Sequence, residues 1–219
     1  MSETEGMSPT VKTFVIFDTE TTGLPNSSDS PRITELSFIA LSRDGLLDAS
    51  KPSRVASKLL LCFNPQKEID PKASSLSGLK NDALEVYGTF ESHASLICSF
   101  LTRLPQPACL VAHNGNRFDF PILISELSHA GEPVPVNILC VDSMKGFSEL
   151  DANDSGQKAP SYALSELYKR IFGRDPIASH TAEDDCKTLL SVIQTYGLSF
   201  CQWSDQNAVP LVNKSKKKN

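Results

Sequence analysis

The feature that most constrains the fold is a short run of apolar, β-forming residues, Phe14 to Phe17, near the start of the chain. A run of this kind is typical of a strand that is buried on both faces. Two further strand-like segments follow, RITELSFIAL at 32–41 and KLLLCF at 58–63, with a polar, turn-rich stretch at 42–57 between them. That stretch predicts a loop, and three strands without an intervening helix predict an antiparallel meander.

The second half of the chain alternates short strands with helices. Strands are predicted at ACLVAHN (108–114) and NILCVDS (137–143), helices at 91–105, 119–131, 161–173 and 182–196, and a mobile loop at ELDANDSGQKAP (149–160). A meander followed by strand, helix and strand predicts an α/β fold. We therefore expect a mixed five-stranded central sheet flanked by helices.

Composition indicates the size and the broad class. The chain has 219 residues, of which 40% are hydrophobic, enough for one sizeable domain. We predict a disordered N-terminus at 1–10, one domain at 11–207 and a basic C-terminal tail at 208–219. The formal net charge of −5 argues against a passive DNA-binding module, which carries a positive excess. It is compatible with an enzyme whose acidic pocket binds metal ions.

Cysteine use and apolar segments bear on the compartment. None of the six cysteines forms a CxxC pair or has a histidine at zinc-finger spacing, so we expect buried thiols in a reducing compartment. The N-terminus lacks the apolar core of a signal peptide, and no apolar run approaches the ~18 residues that span a bilayer. We therefore expect a soluble intracellular protein, nuclear and/or cytoplasmic, without a membrane anchor. The basic run KSKKK (214–218) is typical of a solvated tail, with nuclear import or nucleic-acid contact as alternatives.

Two acids follow the first apolar run directly. Asp18 and Glu20 are two positions apart, so they share a face of the predicted strand. One interpretation is a strand that emerges into solvent. The other is a metal-binding pair at the carboxyl end of a central strand, where open α/β sheets place their sites. Two carboxylates held close repel each other unless a cation lies between them, and such ligands favour Mg²⁺ or Mn²⁺.

A second acidic position, Asp119, opens a predicted helix after the segment AHNGNRF. Asp is a favoured N-cap residue, and capping alone would explain it. His113 and Asn114, at the preceding turn, are equally compatible with satisfying backbone groups there. This segment by itself does not indicate a function.

The stretch SHTAEDDC (179–186) contains three consecutive acids, and helical geometry separates them. On a helix over 182–196, Asp185 borders the apolar stripe, whereas Glu183 lies on the opposite flank. Asp184 is three residues after Thr181, which is typical of a capping box at a helix start. Helix physics therefore explains Asp184, whereas an acid beside the core, such as Asp185, needs a partner.

Together these motifs resemble the DEDDh exonucleases, DnaQ-like members of the ribonuclease H-like superfamily. These enzymes have Asp-x-Glu on a first strand, an Asp opening a middle helix and His-x4-Asp at a last helix. Over about residues 12–205 the chain more specifically resembles the three-prime repair exonuclease family. The segments that carry the resemblance are FDTETTGLP, KLLLCFNP, SSLSGL, CLVAHNGNRFDFPIL, CVDS, YALSELY and SHTAEDD.

The resemblance implies a metal-dependent 3′→5′ exodeoxyribonuclease that releases mononucleotides from DNA 3′ ends. An exoribonuclease of the same superfamily and a non-catalytic nucleic-acid-binding module are the alternatives. Asp18, Glu20 and Asp185 would hold two Mg²⁺ ions, or Mn²⁺, with Asp18 bridging them, and Asp119 would hold the second ion through water. His180 would be the general base, since imidazole titrates near neutral pH. Taken alone, His180 is compatible with a solvated loop histidine.

The resemblance also implies substrate contacts. Leu24 and Leu76 would wedge and stack on the terminal bases, with core packing as the alternative for both. The backbone of Glu20 and Thr21 would hold the 3′-hydroxyl end. Phe118 stands where many relatives have tyrosine, so aromatic stacking is kept while a hydroxyl contact to phosphate is lost.

Two features of the resemblance concern strandedness and assembly. Relatives engage duplex DNA through a proline-rich insertion or several arginines in mobile loops. The corresponding segments here, 44–53 and 149–160, offer only Lys51 and Lys158, so we expect a preference for single-stranded 3′ ends. Relatives form homodimers through the strand that 58–63 resembles, and dimerisation would cover an apolar sheet edge.

Overall fold

The computed structural model describes residues 10–25, 30–48, 55–156, 159–177 and 180–215 of the chain. Within them the chain forms one six-stranded sheet in the order β3-β2-β1-β4-β5-β6. The strands are β1 (Thr13–Thr21), β2 (Ile33–Ser42), β3 (Ser57–Cys62), β4 (Ala108–Ala112), β5 (Ile138–Asp142) and β6 (Val209–Pro210). β1 pairs antiparallel with β2 and parallel with β4, so the apolar run Phe14–Phe17 lies in the middle of the sheet.

Helices pack against both faces of this sheet. They are α1 (Arg43–Leu47), α2 (Pro71–Ser77), α3 (Asn81–Leu84), α4 (Phe90–Thr102), α5 (Asp119–His129), α6 (Ser143–Ser155), α7 (Leu164–Phe172) and α8 (Ala182–Asn207). A 3₁₀ turn at Leu211–Ser215 follows β6.

The predicted α/β fold is confirmed. β1, β2 and β3 form the antiparallel meander, and β4, α5 and β5 form the strand–helix–strand unit with parallel strands. The sixth strand, β6, corrects the predicted number of five; it pairs antiparallel with β5. β6 has only two residues, too few for any alternation of apolar and polar residues to indicate it.

Both predicted loops contain helices. In the stretch at 42–57, α1 begins where the Ser42 side chain accepts a hydrogen bond from the Gly45 N–H, and residues 49–54 lie outside the described part of the chain. In the stretch at 149–160, α6 continues to Ser155, while residues 157–158 again lie outside that part. α6 packs on α8, where Glu149 accepts a 2.8 Å hydrogen bond from the Trp203 indole. The polar composition of this segment therefore reflects a surface helix.

The last helix, predicted over 182–196, is longer than its sequence pattern suggests. α8 starts as predicted, kinks at Gly197 and continues to Asn207. The second part buries Phe200 and Trp203 against the sheet and α6. Gly197 therefore bends this element without ending it.

The structure tests the predictions about the chain ends and the compartment only in part. Residues 1–9 and 216–219 lie outside the described residues, so the disordered N-terminus and the basic end of the tail stay predictions. Of the predicted tail, residues 209–215 form β6 and the 3₁₀ turn. All six cysteines carry free thiols, and four are buried. None of the helices in the described ranges combines the length and apolar character needed to cross a membrane.

Two hydrophobic cores cover the two faces of the sheet. Val15 and Phe17 lie in one core, with side chains of α4 and α5. Phe14 and Ile16 lie in the other, with side chains of α8. Because side chains two positions apart share a face of a strand, the residues that follow Ile16 in steps of two also point toward α8.

Candidate active site

Three carboxylates converge where β1 meets the start of α8. Asp18 and Glu20 continue the α8-facing side of β1, and Asp185 lies in the first turn of α8. One carboxylate oxygen from each of the three lies within 4.8 Å of the others. Oxygen ligands at this spacing can hold a divalent cation.

The start of α8 orients the three consecutive acids differently. The Thr181 hydroxyl accepts a hydrogen bond from the Asp184 N–H at 3.1 Å, so Thr181 is the N-cap. Asp184 pairs with Lys187, and Glu183 pairs with Lys187 and with Lys58 of β3. Asp185 follows Asp184 and lies on the side of α8 that carries the buried residues Ala182 and Cys186, so its carboxylate points toward β1.

A contact from β1 orients Asp119, and the alternative interpretation of Asp119 as the N-cap of α5 is wrong. The N-cap of α5 is Phe118, and Asp119 is the first helical residue. Its buried carboxylate accepts a 2.9 Å hydrogen bond from the Thr19 hydroxyl on β1. It therefore faces the sheet, beside the group formed by Asp18, Glu20 and Asp185 but outside it.

The four carboxylates have raised pKa values, and burial is the main cause for each. Burial and then the neighbouring Asp119, Asp185 and Glu20 raise the pKa of Asp18 well above its usual range. Burial, Asp185 and Glu35 raise the pKa of Glu20 to about 8. Burial raises the pKa of Asp119 to about 7 and also raises that of Asp185.

Crowded carboxylates in such surroundings are costly to ionise without a compensating cation. Their oxygens are the ligands that Mg²⁺ and Mn²⁺ prefer, and the set contains no thiolate and no imidazole. The donor set therefore suits a hard divalent metal ion.

A fifth acid, Glu35 on β2, lies beside this group and is missing from the sequence-based prediction. Glu35 is the cross-strand partner of Glu20, and its Oε2 accepts a 2.7 Å hydrogen bond from the Ala182 N–H. Burial raises the pKa of Glu35. A lone acid within the apolar segment RITELSFIAL was the available signal for it.

His180 precedes α8 and lies next to Asp185. Its backbone N–H donates to the Asp185 carboxylate at 3.2 Å, and its side chain is exposed. The φ angle of His180 is 68°, in the left-handed region that non-glycine residues rarely adopt. The turn thus places an exposed imidazole at the edge of the acidic group.

A cavity of about 660 Å³ opens at the acidic group, and Asp18, Glu20 and Asp119 are part of its lining. Its lining includes all the residues predicted to contact substrate: Glu20, Thr21, Leu24, Leu76 and Phe118. Leu24 is 74% exposed and Leu76 49% exposed, which excludes core packing for both. The Arg117 guanidinium lies 5.7 Å from the centre of the Phe118 ring.

Two further residues shape the turn before Asp119. The Asp142 carboxylate accepts hydrogen bonds from the N–H groups of Asn114 and Asn116, at 3.0 and 3.1 Å. His113, in the cavity lining, donates from Nε2 to the Tyr162 carbonyl at 2.7 Å, and burial lowers its pKa. Only the packing of β4 beside β5 brings these groups together.

A mixed sheet with acidic side chains gathered at the end of its central strand is the arrangement expected of a metal-dependent nuclease. The exonuclease family model RNase_T matches residues 15–193. The chain is 39% identical to three-prime repair exonuclease 1 of Homo sapiens, over 91% of this chain and 68% of that protein. It is 36% identical to three prime repair exonuclease 2 of Mus musculus, over 91% and 90%. The chain therefore belongs to the three-prime repair exonuclease family.

Comparison with solved structures agrees on the fold. The nuclease domain of 3′hExo, a DEDDh family member bound to rAMP, superposes with a TM-score of 0.69 over 88% of this chain and 94% of that one. At 14% identity, this likeness concerns the fold alone. DEDDh exonucleases use divalent metal ions, in keeping with the cluster of Asp18, Glu20 and Asp185.

Proposed function

We propose that this exonuclease removes mononucleotides from the 3′ ends of DNA, with a preference for single strands. The observation that carries the proposal is the meeting of Asp18, Glu20 and Asp185 beside a cavity lined by exposed apolar side chains. The acids supply metal ligands, and the cavity offers stacking surface next to them. Hydrolysis of the terminal phosphodiester requires the metal ligands and the stacking surface to lie within reach of the same nucleotide.

In the proposed mechanism Asp18, Glu20 and Asp185 would hold two Mg²⁺ ions directly, and Asp119 would help to hold the second through water. Mn²⁺ could take their place. When bound, a pair of such ions lowers the pKa of an attacking water and neutralises charge on the leaving 3′ oxygen. The His180 imidazole, which precedes α8 beside Asp185, would accept the proton of the attacking water as a general base.

The same cavity accounts for binding of the 3′ end. The exposed side chains of Leu24 and Leu76 wedge and stack on the last bases, and Phe118 offers an aromatic face. The backbone at Glu20 and Thr21 holds the 3′-hydroxyl. These contacts are with bases, sugar and backbone in general, so they predict little sequence preference.

Sequence similarity to known proteins favours DNA over RNA as the substrate. Two relatives at 36–39% identity are named repair exonucleases, whereas the ribonucleotide-bound relative is only 14% identical. RNA is the second candidate because that relative shares the fold. Single strands are favoured because Lys51 and Lys158 are the only lysines, and arginines are lacking, in segments 44–53 and 149–160. Both lysines lie outside the described residues.

The decisive experiment uses labelled oligonucleotides that differ only in the 2′-hydroxyl, in single- and double-stranded form, with Mg²⁺ or with EDTA. The expected result is Mg²⁺-dependent release of mononucleotides, fastest from single-stranded DNA. Faster cleavage of the RNA would move the assignment to an exoribonuclease. Absence of release at any enzyme concentration would leave a nucleic-acid-binding module.

We further propose a homodimer joined through β3. Among the described residues β3 pairs only with β2, and the side chain of Leu60 is 38% exposed at this sheet edge. Pairing with a second copy would satisfy the open edge.

We also propose an intracellular location, nuclear or cytoplasmic, which the free thiols suit.

A further inference from the structure

Glu35 is a carboxylate at the active site with no role in the mechanism above. It lies directly opposite Glu20 in the β1–β2 register, so both side chains point to the same face of the sheet. Two carboxyl groups in directly opposed positions repel each other when both are ionised, and such pairs destabilise a sheet. A side chain that costs stability here needs a compensating contact.

The contact is with the start of α8. The Glu35 Oε2 accepts a hydrogen bond of 2.7 Å from the backbone N–H of Ala182, the first residue of that helix. The first N–H groups of a helix lack partners within it. They lie at the positive end of the helix dipole, which favours a nearby carboxylate. Thr181 satisfies the N–H of Asp184 from within the helix, whereas Glu35 satisfies Ala182 from the sheet.

This bond joins the two halves of the metal site. Ala182 is buried and is separated from Asp185 by less than one helical turn, while Glu35 is hydrogen-bonded through β2 to the strand that carries Asp18 and Glu20. Movement of the first turn of α8 away from β2 would therefore carry Asp185 away from its two partners.

We propose that Glu35 is a positioning residue that sets the separation between Asp185 and the pair Asp18–Glu20, and thereby the affinity for divalent metal. It acts through the Ala182 N–H and does not bind metal itself. Its carboxylate lies outside the group whose oxygens approach within 4.8 Å. The inference rests on the proposed function in one respect, that these three carboxylates hold metal.

The test measures Mn²⁺ binding to the protein without nucleic acid by isothermal titration calorimetry. Removing a partner that orients a metal ligand weakens metal binding by about 10–100-fold, and we expect Glu35→Ala to fall in this range. Glu35→Gln keeps an acceptor oxygen at the same reach, so its affinity should lie between those of Glu35→Ala and the unaltered protein. Glu35→Asp keeps the charge but shortens the side chain, and should weaken binding although the net charge is unchanged.

Glu183→Gln is the matched control. It removes one negative charge from the same turn of α8, where Glu183 pairs with Lys58 and Lys187 and does not contact the Ala182 N–H. We expect its Mn²⁺ affinity to stay within about twofold of the unaltered protein, because exposed charge pairs contribute little. Amide hydrogen exchange at 181–186 should rise in Glu35→Ala and stay unchanged in Glu183→Gln.

Three outcomes would overturn the proposal. Equal Mn²⁺ affinity in Glu35→Asp and the unaltered protein would show that reach is irrelevant, even if Glu35→Ala does not fold. Equal losses in Glu35→Gln and Glu183→Gln would reduce the effect to charge. Complete loss of binding in Glu35→Gln would make Glu35 a ligand. Because Mn²⁺ binding is measured without substrate, a protein that binds Mn²⁺ in this Glu35-dependent way yet cleaves no oligonucleotide would refute the proposed function only.

Discussion

At the scale of single residues, neighbours in sequence have unlike surroundings. Asp184 and Asp185 are adjacent, yet Asp184 pairs with Lys187 at 3.1 Å while Asp185 approaches Asp18 and Glu20. We predict that Asp185→Asn abolishes nuclease turnover, since it removes a charged metal ligand. Asp184→Asn should keep full activity and lose about 0.5 kcal/mol of unfolding free energy, as changes at a helix dipole do. Initial rates on a labelled oligonucleotide and urea denaturation measure both, and similar activities in the two variants would contradict the assignment.

His180 gives a second residue-level prediction. Its exposed position in a left-handed turn beside Asp185 suits a base that acts on water and binds no metal. His180→Ala should lower the cleavage rate by roughly 10²–10⁴-fold, the contribution of a general base, with Mn²⁺ affinity retained. His129→Ala, on the exposed end of α5, serves as the control and should keep its rate. Loss of Mn²⁺ binding in His180→Ala would instead identify a metal ligand.

The residues that the sequence predicts well are those whose placement depends on local geometry. The two-residue spacing of Asp18 and Glu20 and the helical angle of Asp185 follow from the periods of strand and helix. Glu35 is different, because its partner Ala182 is 147 positions away and only packing brings them together. For the same reason the segment around Asp119 left its role open between a cap and a metal site, because its hydrogen bond to Thr19 spans 100 positions.

At the scale of elements, the local pattern predicts where helices start better than where they end. The start of α8 follows from Thr181, whereas its continuation beyond Gly197 depends on Phe200 and Trp203 packing against distant partners. α6 likewise continues through a polar segment because α8 supports it. Helix ends that depend on tertiary contacts leave little trace in a single sequence.

The kink in α8 gives the element-level prediction. Gly197 has φ 49° and ψ −121°, and a Cβ at this position would meet open space. The cost of Gly197→Ala should therefore come from the backbone alone, about 1–3 kcal/mol of unfolding free energy. Urea denaturation measures it, with Ser199→Ala, an exposed neighbour, as a control expected within about 0.5 kcal/mol of the unaltered protein. An unchanged stability in Gly197→Ala would mean that α8 can straighten at this point without penalty.

At the scale of the whole molecule, the open edge of the sheet bears on assembly. A charge at Leu60 would be placed in the proposed β3–β3 interface, so Leu60→Glu should convert a dimer into a monomer in multi-angle light scattering. Leu198→Glu alters a leucine of 53% exposure on α8 and should leave the mass unchanged. A monomeric unaltered protein at micromolar concentration would contradict the dimer.

The acidic site also governs how the stability of the whole molecule depends on pH. Carboxyl groups titrate near pH 4 in an unfolded chain, whereas burial raises the pKa values of Asp119 and Glu20 to about 7 and 8 in the folded chain. The native state therefore holds protons that the unfolded state releases, and the stability that these groups contribute is lost as pH rises through their folded pKa values. The half-buried His113, whose pKa is lowered by desolvation, acts in the opposite direction, but only below about pH 6.5.

We therefore predict that, in EDTA, the Tm falls between pH 6.5 and pH 8. Mn²⁺ should raise the Tm more at pH 8 than at pH 6.5, because the ion replaces the protons that the carboxylates lose. Glu20→Gln is the matched control: it removes the group with the pKa of about 8, so the metal-free Tm should depend less on pH. Differential scanning calorimetry at both pH values makes the comparison. A Tm in EDTA that does not fall between pH 6.5 and pH 8 would show that the carboxylates around Asp18 are already ionised without metal, so that metal binding displaces no protons.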